Sequence, residues 1–247
     1  MIASHQRRCS PTVWLAFVGI VGVVLWGESL LQRAAAQQAE PAAPPLAYKP
    51  PSRGAPGGRT GGGTRGPADT TFVLAVLAPK EHTGLTVNDQ PVLYWYSGRE
   101  VKHPVYVTLT DRQSVKPLLE VRLEPPIPSG MQRVSLADHN LRLTAEMPYD
   151  WSIALVPDAA QRSQDIMVSG TIALVPPPAA LQGQLTQAGK TASPALYAEA
   201  GLWYDAIAAL SALIDAAPQD RTLRQQRAAL LEHEQLSEAA TYDRQHK

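Results

Sequence analysis

At residues 105–110 the chain reads Val-Tyr-Val-Thr-Leu-Thr, with apolar and polar side chains in strict alternation. Successive side chains of a strand point to opposite faces of a sheet, so this period of two predicts a strand with one buried face. The same alternation recurs at residues 120–124, 141–144 and 150–155, and Ile166, Val168, Ile172 and Leu174 complete the series. Glycine and proline clusters separate these segments, and no helical period interrupts them.

Roughly eight short strands within residues 71–175 predict an antiparallel, immunoglobulin-like β-sandwich, with a small barrel as the alternative. Trp95 and Trp151 fit the core, because large aromatic side chains on strands are mostly buried. Alternation places Tyr94 and Tyr96 on the face opposite Trp95. If exposed, these two tyrosines would form a platform for a sugar ring.

The apolar period becomes helical after the prolines at 176–178. In a helix over residues 202–216, one face carries Trp203, Ile207, Leu210 and Ile214. Asp220 is placed to cap the helix that follows. The predicted fold class is therefore α+β: a sandwich over residues 70–176, followed within residues 177–247 by a short C-terminal α-helical hairpin packed on it.

Residues 1–36 have the pattern of an export signal. Arg7 and Arg8 precede an uncharged apolar stretch at residues 13–26, and three alanines at 34–36 suit a signal peptidase. The alternative is an uncleaved anchor, in which case only residues 12–31 would contact the membrane. We expect a periplasmic or secreted protein, or one anchored in the inner membrane by this segment.

Composition excludes several chemistries for the mature chain. Cys9 is the only cysteine and lies within the predicted signal, so no disulfide, catalytic thiol or cysteine-bound metal is expected. The 22 basic and 22 acidic side chains form no block of one sign, which argues against a nucleic-acid partner. Nucleophile-elbow and paired-histidine motifs are absent from the sequence, so we expect neither enzymatic activity nor a cofactor or metal.

Residues 37–69 are rich in proline, glycine and arginine, and this composition predicts a disordered tether. The alternative is that their glycine/arginine run is a binding motif. Its candidate partner-binding residues are Arg59, Gly61, Gly62, Gly63, Thr64 and Arg65.

Several blocks together resemble a bacterial family of exported proteins, domain of unknown function 928. They are the Tyr-x-Pro-Pro-x-Arg-Gly run from Tyr48 with the glycine/arginine stretch after it, Leu77-Ala78-Pro79, His82–Val87, Gln90–Tyr96, Arg162–Ile166 and Leu196–Asp205. The family has no established activity, so the resemblance implies only that the glycine/arginine segment is a motif. His82 and Arg162 are of interest because they lie in these blocks; we expect a turn or strand-edge role for His82 and an ion pair or turn hydrogen bond for Arg162.

Gly201, Ala206 and Pro218 have the spacing of the turn glycine, packing alanine and terminal proline of one tetratricopeptide repeat, and the segment resembles that repeat. A single repeat could support the core or offer a groove to a partner. Glu199 and Asp205 flank the turn, and we expect both to be exposed candidates for partner binding.

Three functions are consistent with these patterns. The first is an exported, non-enzymatic interaction or scaffold module with a protein partner in the cell envelope. The second is a carbohydrate- or small-molecule-binding module that uses exposed tyrosines. The third is a hydrolase of unfamiliar type, which would need carboxylates converging in a cleft.

Overall fold

A computed structural model describes residues 46–51, 57–60, 72–111, 113–114 and 116–246. In these ranges the strands form two sheets, the smaller with the order β1-β3-β6. Its strands are β1, Leu74–Val76, β3, Val92–Ser97, and β6, Gly130–Ser135. Both pairings in this sheet are antiparallel.

The larger sheet has the order β2-β8-β7-β4-β5. Its strands are β2, Gly84–Thr86, β4, Val105–Asp111, β5, Leu119–Leu123, β7, Pro148–Leu155, and β8, Ile166–Leu174. The prediction of a purely antiparallel sandwich is wrong at one edge, because β2 runs parallel to β8. A short connection leads from β1, in the smaller sheet, to β2 at this edge of the larger sheet, where β2 runs in the same direction as β8.

The predicted strand around Leu141 and Leu143 is also wrong, since residues 141–144 have no regular structure. Leu143 is buried all the same, and its N–H donates to the carbonyl of Asp89 rather than to a neighbouring strand. The apolar alternation at residues 141–144 therefore reflects an irregular segment that packs on the core, and not a strand.

Five α-helices follow the strands in the described part of the chain: α1, Leu181–Ala188, α2, Ser193–Glu199, α3, Trp203–Ala216, α4, Arg221–His233, and α5, Ser237–Gln245. The helices extend beyond the predicted hairpin. Helix α5 was missed because it buries small residues, Ala239 and Ala240, whose apolar period in the sequence is weak. The cap on α4 is confirmed: Asp220 Oδ1 accepts the Thr222 N–H at 2.8 Å.

The helices cover the outer face of the small sheet. Helix α3 packs against β2 and β3, and α5 contacts β6. Tyr94, Trp95 and Tyr96 are consequently all buried, with 6%, 0% and 7% exposure. Core positions for Trp95 and Trp151 are confirmed, whereas an exposed tyrosine platform at Tyr94 and Tyr96 is excluded because the helices bury the second face of β3.

Helix α3 is bonded to both sheets through its first turn. Trp203 is fully buried and its Nε1 donates to the Leu77 carbonyl at 2.8 Å, just after β1. The Tyr204 hydroxyl accepts from Trp151 Nε1 at 2.8 Å and donates to the Thr171 carbonyl at 3.0 Å. The predicted apolar face of this helix is confirmed, since its four members are 0–3% exposed.

Residues 46–51 and 57–60, called the strap below, belong to the packed structure. Tyr48 is 5% exposed, and the Lys49 N–H donates to the Ala198 carbonyl at 3.1 Å. Thr60 and Ser169 exchange backbone hydrogen bonds at 3.0 and 2.9 Å. Disorder is thus the wrong prediction for these ten residues, whose bonding partners are far away in sequence. The rest of residues 37–69 and the predicted export signal lie outside the described residues.

Across residues 46–246, wherever the structure describes them, no helix has the length and apolarity needed to cross a bilayer.

Candidate functional site

Two of the family-like blocks meet at the strap. The Tyr48 hydroxyl and His82 Nε2 are hydrogen-bonded at 2.8 Å, and the Tyr48 ring packs edge-on against Trp203 with centroids 5.1 Å apart. Burial raises the pKa of Tyr48 above its ordinary value, with a smaller contribution from Glu234. Burial also lowers the pKa of His82, opposed by Glu234. Both groups are therefore neutral near pH 7, and their contact fastens the strap to the turn before β2.

Arg59 directs its donors into the protein. Its guanidinium donates to the carbonyl oxygens of Ala78, Glu234 and Gln235 at 3.3–3.4 Å. Burial lowers the pKa of Arg59, partly offset by Glu234. The Glu234 carboxylate accepts the Lys80 N–H at 2.8 Å. Arg59 thus joins the strap to the end of α4. The other glycine/arginine candidates, Gly61, Gly62, Gly63, Thr64 and Arg65, lie outside the described residues.

Of the two candidates beside the turn, only one is exposed. The Glu199 side chain is 62% exposed and pairs with Lys49 at 2.6 Å. The expectation of an exposed Asp205 is wrong: it is 9% exposed, and its Oδ2 accepts the Val87 N–H at 3.0 Å. The first turn of α3 lies directly on the end of β2, so Asp205 joins these two elements and is not available to a partner.

Asp205 should give stability an unusual pH dependence. Burial raises the pKa of Asp205 from 3.8 to about 6, against the opposing hydrogen bonds from Val87 and Thr86. A carboxyl with a higher pKa in the folded state stabilises the fold below pH 3.8, and loses that contribution as the pH rises through 6. Asp205→Asn keeps an acceptor for Val87 but cannot ionise. Between pH 4 and pH 7 the wild type should lose about 1–3 kcal/mol relative to this variant.

Urea unfolding of both proteins at a series of pH values measures that difference. If the free energies of unfolding of the wild type and Asp205→Asn change in parallel with pH, the prediction is wrong. Ionisation of Asp205 would then not destabilise the folded protein.

The outer face of the larger sheet carries a row of apolar side chains. The strand register places Tyr106 beside Ala154, and Ala154 beside Met167. Met167 is 62% exposed, although its neighbour Ala154 is 8% exposed. In the described part of the chain, the helices pack chiefly against β2, β3 and β6. This row, Tyr106–Ala154–Met167, is called the outer row below.

Arg162 extends the outer row. Its guanidinium carbon lies 5.7 Å from the centroid of the Tyr106 ring, within the range of a cation–π contact. Its Nε donates to Asp165 Oδ2 at 2.7 Å, which confirms the predicted ion pair. The other Asp165 oxygen is buried and has no hydrogen-bond partner among the described residues.

A polar row lies next to the outer row on the same face. The hydroxyls of Thr108 and Ser152 are hydrogen-bonded at 2.6 Å, and those of Ser169 and Thr60 are bonded to each other. Beside it is an open cleft of about 420 Å³, lined by residues 57–60, Lys80, Asp150 and residues 169–171. Its Lys80 ammonium is bonded to Gln235 Oε1 at 2.6 Å. In the described ranges, no group of three or more His, Cys, Asp or Glu side chains is arranged to hold a metal ion.

Two β-sheets followed by a series of helices define the chain as an α+β protein. The family model described as Domain of Unknown Function (DUF928) matches residues 60–243. The chain belongs to this family, which confirms the resemblance seen in the sequence blocks. The comparison with curated proteins found no match.

One similar solved structure is a crystal structure of an engineered protein from the Northeast Structural Genomics Consortium. It shares 16% sequence identity, with a TM-score of 0.29, over 43% of this chain. The match spans 21% of that protein, about a fifth of its length. A likeness this distant carries no argument about function.

Proposed function

We propose that the chain is an exported, non-enzymatic interaction module of the cell envelope, and that its protein partner binds the outer row. Export is supported by the sequence pattern of residues 1–36. The observation that supports binding is the exposure of Met167, 62%, beside Ala154 and Tyr106 on a sheet face, while the described helices pack chiefly against β2, β3 and β6. Contiguous apolar surface with a polar border is typical of interaction sites.

The composition of the surface also supports a protein partner. Tyrosine, methionine and arginine are enriched at the centres of protein interfaces. Tyr106 and Met167 lie in the outer row, Arg122 lies opposite Tyr106 on β5, and Arg162 covers the Tyr106 ring. Because β4, β7 and β8 are hydrogen-bonded to each other, these side chains are held on a rigid surface before binding.

Asp165 holds Arg162 in place at the border of this surface. Its Oδ2 accepts from Arg162 Nε at 2.7 Å. Its Oδ1 is buried without a hydrogen-bond partner in the described structure, so it is not itself a contact for a partner protein.

The finer description of the fold is part of the same proposal. The two sheets bury Trp95 and Trp151, in keeping with an immunoglobulin-like sandwich that has gained the parallel strand β2. Helices α2 and α3 support a single tetratricopeptide-like unit: Gly201 has φ 76° in the turn, and Ala206 is fully buried. In this arrangement the unit packs on the sheets, and the partner surface lies elsewhere.

Copurification from envelope extracts of the native host tests this function. Tagged wild type should retain a partner protein that Met167→Asp loses, because the variant places a charge where the partner covers an apolar side chain. Since Met167 is mostly exposed, the free energy of unfolding should change by less than about 0.5 kcal/mol.

Gln187→Asp is the control for the charge, because Gln187 is exposed on α1 and belongs to a different element. It should retain the partner. Retention of the partner by Met167→Asp would contradict the proposed surface.

A further inference from the structure

Strand β5 forms an open edge of the larger sheet. Among the described strands it pairs with β4 alone, so the outward N–H and C=O groups of residues 119–123 have no strand partner. Leu119, Val121 and Leu123 point inward yet are only half-buried, and Glu120 and Arg122 are exposed. An edge strand of this kind is a template for another strand.

The sequence of β5 is self-complementary. In an antiparallel pair of two copies centred on Val121, Leu119 of each copy lies opposite Leu123 of the other. Glu120 of each copy then lies opposite Arg122 of the other. Cross-strand neighbours of this kind have Cβ atoms about 5 Å apart, where apolar pairs and opposite charges both stabilise a sheet. The two-fold axis makes every favourable pair occur twice.

Lysine and proline, two residues with which natural edges block such pairing, are absent from Leu119–Leu123. Its protection is limited to its short length and to the charges of Glu120 and Arg122. Pro117 and Pro125 stand just outside the strand and, having no N–H, limit pairing to the segment between them. The intramolecular partner of Arg122 is Glu124 at 3.0 Å, with both side chains more than half exposed. Such a surface ion pair is weak and easily exchanged.

We propose that the chain forms a two-fold symmetric homodimer through β5, with the two larger sheets joined into one. The occupant of the edge is a second copy of the same strand, selected by the reciprocal pairing of Glu120 with Arg122. Extension of the sheet at β5 leaves the outer row of each copy accessible, although Arg122 borders both surfaces. The mass of the free protein is measured without any partner, so this inference does not depend on the proposed function.

A charge-reversal cycle on the full chain tests the dimer. Sedimentation equilibrium of the wild type should give twice the mass of one chain. Glu120→Arg and Arg122→Glu should each place like charges opposite one another twice, and raise the dimer dissociation constant about tenfold or more. The double variant Glu120→Arg/Arg122→Glu restores both pairs and should restore dimerisation. Because both residues are exposed, the melting temperatures should stay close to that of the wild type.

Three outcomes would overturn the inference. The first is a monomeric wild type, whether its edge is empty or is occupied by an extended peptide of another protein. The second is a dimer that tolerates both single charge reversals. The third is a double variant that fails to regain the dimer.

A disulfide trap gives independent evidence on the register. In a Cys9→Ser background, Val121→Cys places two thiols directly across the two-fold axis. The closest opposed Cβ atoms in a sheet, about 4.5 Å apart, reach the upper end of the range for a disulfide. Mild oxidation should give a reducible dimer on a denaturing gel. Cys9→Ser/Gln187→Cys is the matched control and should remain monomeric. Equal cross-linking of the two variants, or none from Val121→Cys, would contradict the pairing.

Discussion

Asp243→Ala should lower the free energy of unfolding by about 3–5 kcal/mol, because it leaves a buried arginine without its counterion. Arg227 donates from Nε and Nη2 to the two oxygens of Asp243, each at 2.7 Å. Its Nη1 donates to the Ser211 hydroxyl at 2.9 Å. The two charged side chains are 5% and 0% exposed, and the cluster joins α3, α4 and α5.

A double variant separates the cost of an unpaired charge from that of lost packing. Arg227→Met/Asp243→Leu removes both charges and keeps apolar volume, so it should recover most of the stability lost in Asp243→Ala. Urea denaturation of the wild type, Asp243→Ala and the double variant measures both the stability lost in Asp243→Ala and the stability recovered in the double variant. A loss below about 1 kcal/mol in Asp243→Ala would mean that water reaches Arg227 and that the pair is not buried in solution.

Trp203→Ala should also destabilise the fold by about 3–5 kcal/mol, the range for truncating a large buried aromatic side chain. Trp203 is fully buried between the strap and the loop after β1, with Tyr48 against its ring. The truncation creates a cavity and leaves the Leu77 carbonyl, which accepts from Trp203 Nε1, without that donor.

Trp203→Phe is the matched control, because it keeps most of the ring and removes the indole N–H. We expect a cost of about 1–3 kcal/mol for it, from the unpaired carbonyl. Unfolding in urea, followed by circular dichroism because the mutation removes a fluorophore, measures both variants. If Trp203→Ala costs no more than Trp203→Phe, packing around the ring contributes little and the described core is wrong there.

Local patterns predicted the elements whose burial is one-sided. Burial alternates along β4 and the first half of β7, where one face meets the core, and α3 has a single apolar face. In β3, Tyr94, Trp95 and Tyr96 are buried together because helices distant in sequence cover its second face. Whether helices cover the second face of a strand depends on tertiary packing, so the alternation of side chains in the sequence could not predict this burial.

The strap shows the same limit for composition. Glycine-rich sequence usually indicates disorder, yet Gly58 has φ 142°, and an added Cβ would lie 2.4 Å from the Lys80 carbonyl oxygen. Its N–H donates to Thr171 Oγ1 at 2.7 Å, across 113 positions of sequence. Glycine is required here by close backbone approach. A contact of that sequence separation leaves no local signal.

The candidate surface was not singled out from the sequence. Met167 occupies a position in β8 where the alternation calls for a polar residue, and this departure can be read from the sequence. The adjacency of Met167, Ala154 and Tyr106 cannot, because the register between β4, β7 and β8 comes from the folded sheet. The expected exposure of Asp205 was wrong for a similar reason, since its burial follows from the packing of α3 on β2.

The most direct measurement of the central claim is site-specific photo-cross-linking in the native envelope. A photoreactive phenylalanine analogue replaces Met167 in one protein and Gln187, on α1, in another. If the outer row binds a protein partner, irradiation should join position 167 to one discrete protein that position 187 does not capture. Capture of no protein at position 167, or of the same protein from both positions, would contradict the account.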